Sequence, residues 1–453
     1  MRILIIGTGY VGLTTGVTLA YLGHQVICMD LNTERIAMLN EGQPPFYEPH
    51  LQDLLPLVKD RLSFVSSYDE IDLVHTQVAF IAVGTPSKPD GSANLEYLSR
   101  AAVDIAANLQ EGAHLVVVNK STVPIGSGNW VSTLIREHYA ETHHQKADGL
   151  FTVVSMPEFL KQGEALRDSF YPDRIVLGSD DNSATETLLQ LYQPLIKQTF
   201  QAPPGLPRPQ GLKEVPLLAC DLVSAEMIKY AANAFLALKI SYINEIGRLT
   251  AKVGGNIQAV AEGIGMDKRI GPAWLDAGIG WGGSCFGKDT AALVATAAEY
   301  SLDMPIIKAA RDVNYSQRSA VVETMQNHLK ILKGRRVTLL GFSFKPDTDD
   351  LRDAPSIDIA KGLLQRGAQV RAHDPIALNN ARRQMNLPGL EFCDNLNDAL
   401  EGADALVLVT QWPQYRQIDW QALPKSILIL DGRNFLDHKE LAALGFRVLG
   451  MGG

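Results

Sequence analysis

One cysteine stands in a setting suited to covalent chemistry. Cys285 lies in the run Gly280-Trp281-Gly282-Gly283-Ser284-Cys285-Phe286-Gly287-Lys288-Asp289. A free cysteine is most often a small buried hydrophobe. This one follows two glycines in a loop of small residues, which can bring it close to a ligand. Lys288 nearby is a cation that can lower a thiol pKa, and the thiolate is the nucleophilic form. Asp289 adds a proton acceptor. A structural glycine turn accounts for the glycines equally well, so the loop alone leaves both readings open.

A second group of residues points to a dinucleotide. Gly7, Gly9 and Gly12 form GxGxxG directly after the apolar run Arg2 to Ile6 and ahead of a helical stretch from about Val11 to Leu22. The first glycine permits a tight turn, the second admits a pyrophosphate, and the third lets helix and strand pack closely. Asp30 ends the next apolar run, Gln25 to Met29. A carboxylate there accepts ribose hydroxyls and repels a 2′-phosphate, which favours NAD over NADP. The glycine motif alone also suits FAD, or a Rossmann-like turn that binds nothing. Arg35 is placed to lie over the adenosine or to stand as a solvated helix charge.

Together these two features narrow the chemistry. A nicotinamide takes hydride from a carbon bearing oxygen, turning an alcohol into an aldehyde. A trigonal aldehyde has no favourable second hydride to give. A thiolate that adds to it makes a tetrahedral thiohemiacetal, which loses hydride to become a thioester, and water then releases an acid. NAD plus a nucleophilic cysteine therefore implies an aldehyde dehydrogenase or an enzyme that carries an alcohol to an acid.

The elements that must hold these residues alternate along the chain. Further apolar runs at Val78 to Val83, His114 to Asn119 and Phe151 to Ser155 are separated by helical or polar stretches. This alternation predicts a parallel sheet covered on both faces. Residues 201–213 carry Pro203, Pro204, Pro207 and Pro209 with Gly205 and Gly211, and read as an exposed loop. Leu222 to about Val253 reads as one long helix, with a break near Gly247 as the alternative. A second αβ series follows: strands at Arg336 to Phe342, Ala368 to His373, Ala405 to Thr410 and Ile427 to Asp431, with a helix at Ile357 to Gln365.

With GGSCFGKD around Cys285, PEFL at Pro157 to Leu160, STVP at Ser121 to Pro124 and Lys229-Tyr230-Ala231-Ala232-Asn233-Ala234-Phe235, the chain resembles the UDP-glucose/GDP-mannose dehydrogenase family from Met1 to about Asn434. The resemblance implies an α/β chain with two Rossmann-like doubly wound domains joined by a long-helix central dimerisation domain. Their expected ranges are 1–213 for NAD, 214–330 for dimerisation and 331–453 for the UDP-sugar. The implied reaction is a four-electron oxidation of UDP-glucose to UDP-glucuronate with two NAD in turn. Siblings acting on GDP-mannose or a UDP-N-acetylhexosamine are the nearest alternatives. A non-catalytic nucleotide-sugar-binding protein and an alcohol dehydrogenase that stops at the aldehyde are further ones.

The resemblance also distributes roles. Cys285 is the implied nucleophile, Lys229 and Asn233 the oxyanion-stabilising pair, Glu158 the base, Asp289 the carboxylate that orients hydrolytic water, and Thr122 its neighbour beside the nicotinamide. Lys229 and Asn233 are four residues apart, so a helix puts them on one face. Gly7, Gly9, Tyr10, Val11, Gly12, Asp30, Arg35, Thr85, Thr122, Lys288 and Arg352 are implied on the cofactor side. Gln162 stands where the family often has glutamate. Its amide can still hydrogen-bond a nicotinamide amide, but it cannot act as a base. Met156 likewise replaces an asparagine. Glu158, Phe159, Leu160, Lys161, Lys229, Asn233, Gly282, Phe344, Lys345 and Arg433 are implied on the sugar-nucleotide side. Arg269 is implied as a phosphate ligand given to a partner subunit, and Tyr171 to Arg174 as part of the sugar pocket.

The bulk numbers agree. Apolar residues make up 46% and charged residues 20% of 453, a soluble globular balance. A net charge of -9 argues against broad nucleic-acid binding. Cys28, Cys220, Cys285 and Cys393 are widely spread, with no CxxC pair and so no zinc signature. The sequence runs from Met1 straight into a strand pattern and has no apolar stretch of membrane-spanning length. A cytoplasmic homodimer or higher homo-oligomer without metal, nucleic acid or membrane partners is expected.

Overall fold

The computed structural model describes residues 1–453. Fourteen strands form two sheets. The first sheet contains β1 (Arg2–Ile6), β2 (Gln25–Met29), β3 (Leu62–Val65), β4 (Val78–Ile81), β5 (Leu115–Asn119), β6 (Phe151–Ser155), β7 (Ile175–Gly178) and β8 (Leu217–Cys220). Its order is β3-β2-β1-β4-β5-β6-β7-β8. The second contains β9 (Arg336–Leu340), β10 (Gln369–His373), β11 (Leu390–Phe392), β12 (Ala405–Leu408), β13 (Leu428–Asp431) and β14 (Arg447–Gly450), in the order β11-β10-β9-β12-β13-β14. In each sheet the order reverses beside the first strand, the doubly wound pattern whose switch point favours ligand binding.

The central strands are buried on both faces, as the unbroken apolar run Val78–Ile81 requires. Two cores result in the first sheet. Val116 and Val118 of β5 join the layer of helix Tyr10–Tyr21, while Leu115 and Val117 join the opposite layer. Helix Tyr10–Tyr21 lies unusually close to β2, because a Cβ on Gly16 would come within 2.6 Å of the Cys28 sulfur.

Two details depart from the expected pattern. β6 and β7 pair antiparallel, through Ser155 and Gly178, in a sheet otherwise parallel. After the Pro-rich loop the chain also returns to this sheet as β8, paired with β7. β8 is an edge strand with Leu218 and Ala219 exposed, so it lacks the buried apolar signature that marks the central strands.

By compactness the chain forms two units. One comprises Met1–Ala231 with Ala291–Tyr300, the other Ala232–Thr290 with Ser301–Gly453. Helix Leu222–Val253 is continuous through Gly247. A Cβ there would be in van der Waals contact with the Gly452 backbone and Ile257, each at 3.4 Å. No helix is long and apolar enough to cross a membrane.

Candidate active site

In the first unit the glycine turn has the geometry a dinucleotide needs. Gly7 has φ +98°, and a Cβ there would lie 2.7 Å from the Ala82 carbonyl oxygen. A Cβ on Gly12 would strike the Gly7 carbonyl. A Cβ on Gly9 would meet no protein atom within 4 Å, so its backbone faces open space. Gly9 caps helix Tyr10–Tyr21 with no side-chain acceptor, and no acidic residue occupies the first turn. The amide donors there are left for an external anion, and the residues present fit a pyrophosphate. Tyr10 packs on Phe46 with ring centroids 3.9 Å apart, and Val11 packs against the core.

Asp30, just after β2, is held against the glycine turn. One oxygen accepts from the Thr8 amide and hydroxyl, both at 2.8 Å, and from Arg35 at 2.9 Å. Burial pushes its carboxyl up, but hydrogen bonds from Asn32 and Thr8 and the charge of Arg35 outweigh this and hold it below the usual range. Asp30 is therefore favoured as an ionised acceptor, and Arg35 is fixed beside it. Thr85 donates to the Thr122 carbonyl at 2.6 Å, tying together two loops that leave the carboxyl ends of β4 and β5.

Glu158, just after β6, is buried with Lys229 of the central helix. The Lys229 ammonium donates to the Glu158 carbonyl at 2.6 Å and to its carboxylate at 3.1 Å. The other carboxylate oxygen accepts from the Leu160 amide at 2.6 Å. Burial raises the Glu158 pKa, but Lys229, the Leu160 amide and Lys120 overcome this and leave it lowered. Phe159 lies under Arg174, 3.8 Å from guanidinium carbon to ring centroid. Lys161 pairs with Glu164 at 2.7 Å and with Asp168 at 3.5 Å, and Gln162 is half-buried.

Three contributors in this unit escaped the sequence reading. Lys120 is buried, and burial lowers its pKa to about 8 despite Glu158. Glu226, one turn before Lys229, accepts from the Gly126 and Gly128 amides and the Ser155 hydroxyl at 2.6, 2.8 and 3.0 Å. It thus anchors the end of the STVP loop to the central helix. Glu48 receives the Gly163 and Ala165 amides at 2.8 and 2.7 Å and fixes the chain after Gln162. Nothing local marks these as buried charges. Only the packing does.

In the second unit Cys285 immediately precedes helix Phe286–Glu299, and its carbonyl accepts the Asp289 amide at 2.8 Å. The thiol-bearing residue therefore sits at the positive end of a helix dipole. Its sulfur is 3.6 Å from the Ser284 hydroxyl. Asp289, one turn on and almost fully buried, accepts from the Asn233 amide at 2.6 Å and pairs with Lys288 at 3.0 Å. The ammonium of Lys288 is thus engaged by this carboxylate.

Polar side chains of helix Pro305–Leu329 hold the glycine loop by its backbone. Asn314 accepts the Trp281 amide at 2.7 Å and donates to its carbonyl at 3.0 Å. Gln317 and Arg318 donate to the Gly278 and Trp281 carbonyls at 2.8 and 3.0 Å. The glycines are sterically required. Gly282 would place a Cβ 2.4 Å from the Asp353 carbonyl, and Gly283, at φ +87°, 2.7 Å from the Phe344 ring. Cys285 thus lies next to the segment carrying Phe344 and half-buried Lys345.

Arg433 donates to the Val409 and Gly280 carbonyls at 2.8 and 3.0 Å, and burial with neighbouring Arg318 lowers its pKa to about 10. Arg352 chelates Asp350, and Arg269 chelates Asp267 while its side chain is 89% exposed. No group of His, Cys, Asp and Glu is arranged to hold a metal.

Residues 1–196 match the NAD binding domain of the UDP-glucose/GDP-mannose dehydrogenase family, residues 223–316 its central domain, and residues 338–438 its UDP binding domain. UDP-glucose 6-dehydrogenases from Bacillus subtilis and Pseudomonas aeruginosa are each 42% identical over all of this chain and 98% and 97% of their own lengths. A UDP-glucose dehydrogenase structure from Pyrobaculum islandicum superposes with TM-score 0.87 at 36% identity, covering 100% of this chain and 97% of its own. The chain belongs to the UDP-glucose/GDP-mannose dehydrogenase family, an NAD-dependent oxidoreductase with a UDP-sugar-binding domain.

Proposed function

We propose that this enzyme oxidises the primary alcohol of UDP-glucose to the carboxylate of UDP-glucuronate, using two NAD in succession. The observation that carries this reading is Cys285 at a helix N-terminus, one turn from an Asp289 carboxylate gripped by Asn233. A dehydrogenase that stopped at the aldehyde would have no use for that sulfur.

NAD, when bound at the glycine turn, supplies the hydride acceptor for both oxidations. The chain's residues do the rest. Glu158, ionised under its two lysines, accepts the proton of the sugar hydroxyl, directly or through water. Lys229 and Asn233 project from one helix face and stabilise the oxygen as its charge develops, the arrangement that contributes most in acyl-type chemistry. The Cys285 thiolate then adds to the aldehyde carbon, forming a C–S bond and an oxyanion. Loss of the second hydride leaves a thioester. Asp289 and Thr122 orient the water that attacks it, the C–S bond breaks, and the thiolate returns. Phe159, Leu160, Lys161, Gly282, Phe344, Lys345 and Arg433 line the sugar-nucleotide site in this reading, and Arg269 reaches the diphosphate of a partner subunit.

A homodimer belongs to the same proposal. It is supported by the exposed apolar side chains Met227, Phe235, Tyr242 and Leu249 along the central helix. A cytoplasmic location is supported by four free thiols. The test is a panel of UDP- and GDP-sugars with NAD, counting NADH per sugar consumed. Two NADH per UDP-glucose are expected. Preference for GDP-mannose or an N-acetylhexosamine would move the enzyme to a sibling activity, and no NADH with any sugar would refute catalysis.

A further inference from the structure

Resting on that reading, the structure points to a second exit from the reaction centre, used by protons. The oxidations and the hydrolysis release protons onto buried Glu158 while cofactor and substrate are bound. Lys120 follows β5 on the face that packs against helix Tyr10–Tyr21, and it is buried. Lys120 and Glu158 both line a cavity of about 70 Å³. Thr18 and Tyr192 line it too, and their hydroxyls are buried with no hydrogen-bonding partner in the protein. The lining also includes Asp173, which is solvent-exposed. A cavity of this size accommodates several waters, at roughly 10–15 Å³ of such volume each; its lining is mixed, and the unpartnered hydroxyls with Lys120 and Glu158 give those waters polar partners.

We propose that Lys120 is the proton relay of this enzyme: it takes the proton of Glu158 through water in the cavity that both line, and passes it by the Thr18 and Tyr192 hydroxyls to solvent. The step balances simply. The sugar O–H bond breaks to Glu158 while the carbon's hydride passes to NAD, the carboxyl O–H bond breaks to a cavity water that in turn protonates Lys120 in its amine form, and the ammonium then gives a proton to the outer water. Each later proton follows the same path. Lys120 does not touch the substrate in this account and acts through Glu158.

The charges around Lys120 suit the task. Glu158 attracts the ammonium, Lys229 of the central helix repels it, and burial lowers its pKa to about 8. Asp168 of helix Ala165–Phe170, Asp173 and Arg174 ahead of β7, and Tyr192 of helix Asn182–Ile196 complete the titratable lining, while helix Tyr10–Tyr21 presents only hydroxyls and aliphatic groups. Burial raises the Tyr192 phenol, so it hands protons along a hydrogen bond without ionising.

Lys120→Arg separates the roles, because guanidinium keeps the positive charge but does not release a proton near neutral pH. The expected result is a fall in kcat of about a hundredfold, within the range of proton-transfer catalysis, with KM for UDP-glucose little changed. The rise of wild-type rate with pH through about 8 should vanish with it. Methylamine should partly restore Lys120→Ala. The pair Thr18→Val and Tyr192→Phe, which removes only unpartnered hydroxyls, should lower kcat and enlarge the solvent isotope effect at unchanged Tm. Wild-type kcat and pH profile in Lys120→Arg, or no amine rescue of a folded Lys120→Ala, would overturn the relay. Those outcomes leave the wild-type count of two NADH per sugar untouched, whereas failure of that count strikes the proposed function itself.

Discussion

Asn233 donates its side-chain amide to the Asp289 carboxylate across 2.6 Å, in a buried setting one helical turn from Cys285. The bond fixes both groups before any substrate arrives. Asn233→Ala should therefore lower kcat by about 10²–10³, the usual effect of deleting one oxyanion donor. KM should change far less. Steady-state kinetics with UDP-glucose at saturating NAD checks both.

Cys285→Ser keeps the loop geometry but removes the thiolate. The variant should perform the first oxidation and stall, with acid formation abolished. Product analysis should show aldehyde, its hydrate or a bound adduct in place of carboxylate, and normal acid production would refute the covalent route.

Lys229→Met leaves Glu158 buried with Lys120 as its remaining cation. Breaking such a buried pair should destabilise the fold by about 3–5 kcal/mol at neutral pH. The sign with pH follows from the lowered Glu158 pKa. That pair's stabilisation is present above the unfolded carboxylate range and lost as pH falls through the folded value. The gap between wild type and variant should thus narrow in acid, as denaturant titrations at pH 7 and pH 4 will show.

Asp30→Ser removes the carboxylate proposed to hold the ribose. NAD affinity should fall by about tenfold or more, as expected for hydrogen bonds to a charged group, and NADP should become usable. Comparing kcat/KM for the two cofactors is the measurement.

Gly283→Ala places a methyl 2.7 Å from the Phe344 ring at a backbone φ of +87°. Strain of about 1–3 kcal/mol is expected. Phe344 must move, so Tm should fall and KM for the nucleotide-sugar should rise while KM for NAD stays constant.

The sequence disclosed the features whose chemistry is local. The Gly7–Gly12 turn, Asp30 at a strand end and Cys285 among glycines announce themselves by type and spacing, and the long helix by its composition. Lys120 did not, because a lysine after an apolar strand reads as a solvated charge until the opposing helix is in place. Asn314, Gln317 and Arg318 were hidden differently. Polar residues at such spacing imply a wet helix face, yet here they satisfy carbonyls and an amide of an irregular loop. β7 and β8 were missed because a short pair at a sheet edge carries little periodic signal.

Arg433 joins a carbonyl after β12 to a carbonyl in the thiol loop. One guanidinium is therefore a brace between the carboxyl end of β12 and the loop that leads to Cys285. An exchange at this position should slacken the loop that carries Cys285, whatever it does to the proposed nucleotide-sugar site. Specificity here should drift through Phe344, Lys345 and their neighbours, leaving the brace itself alone.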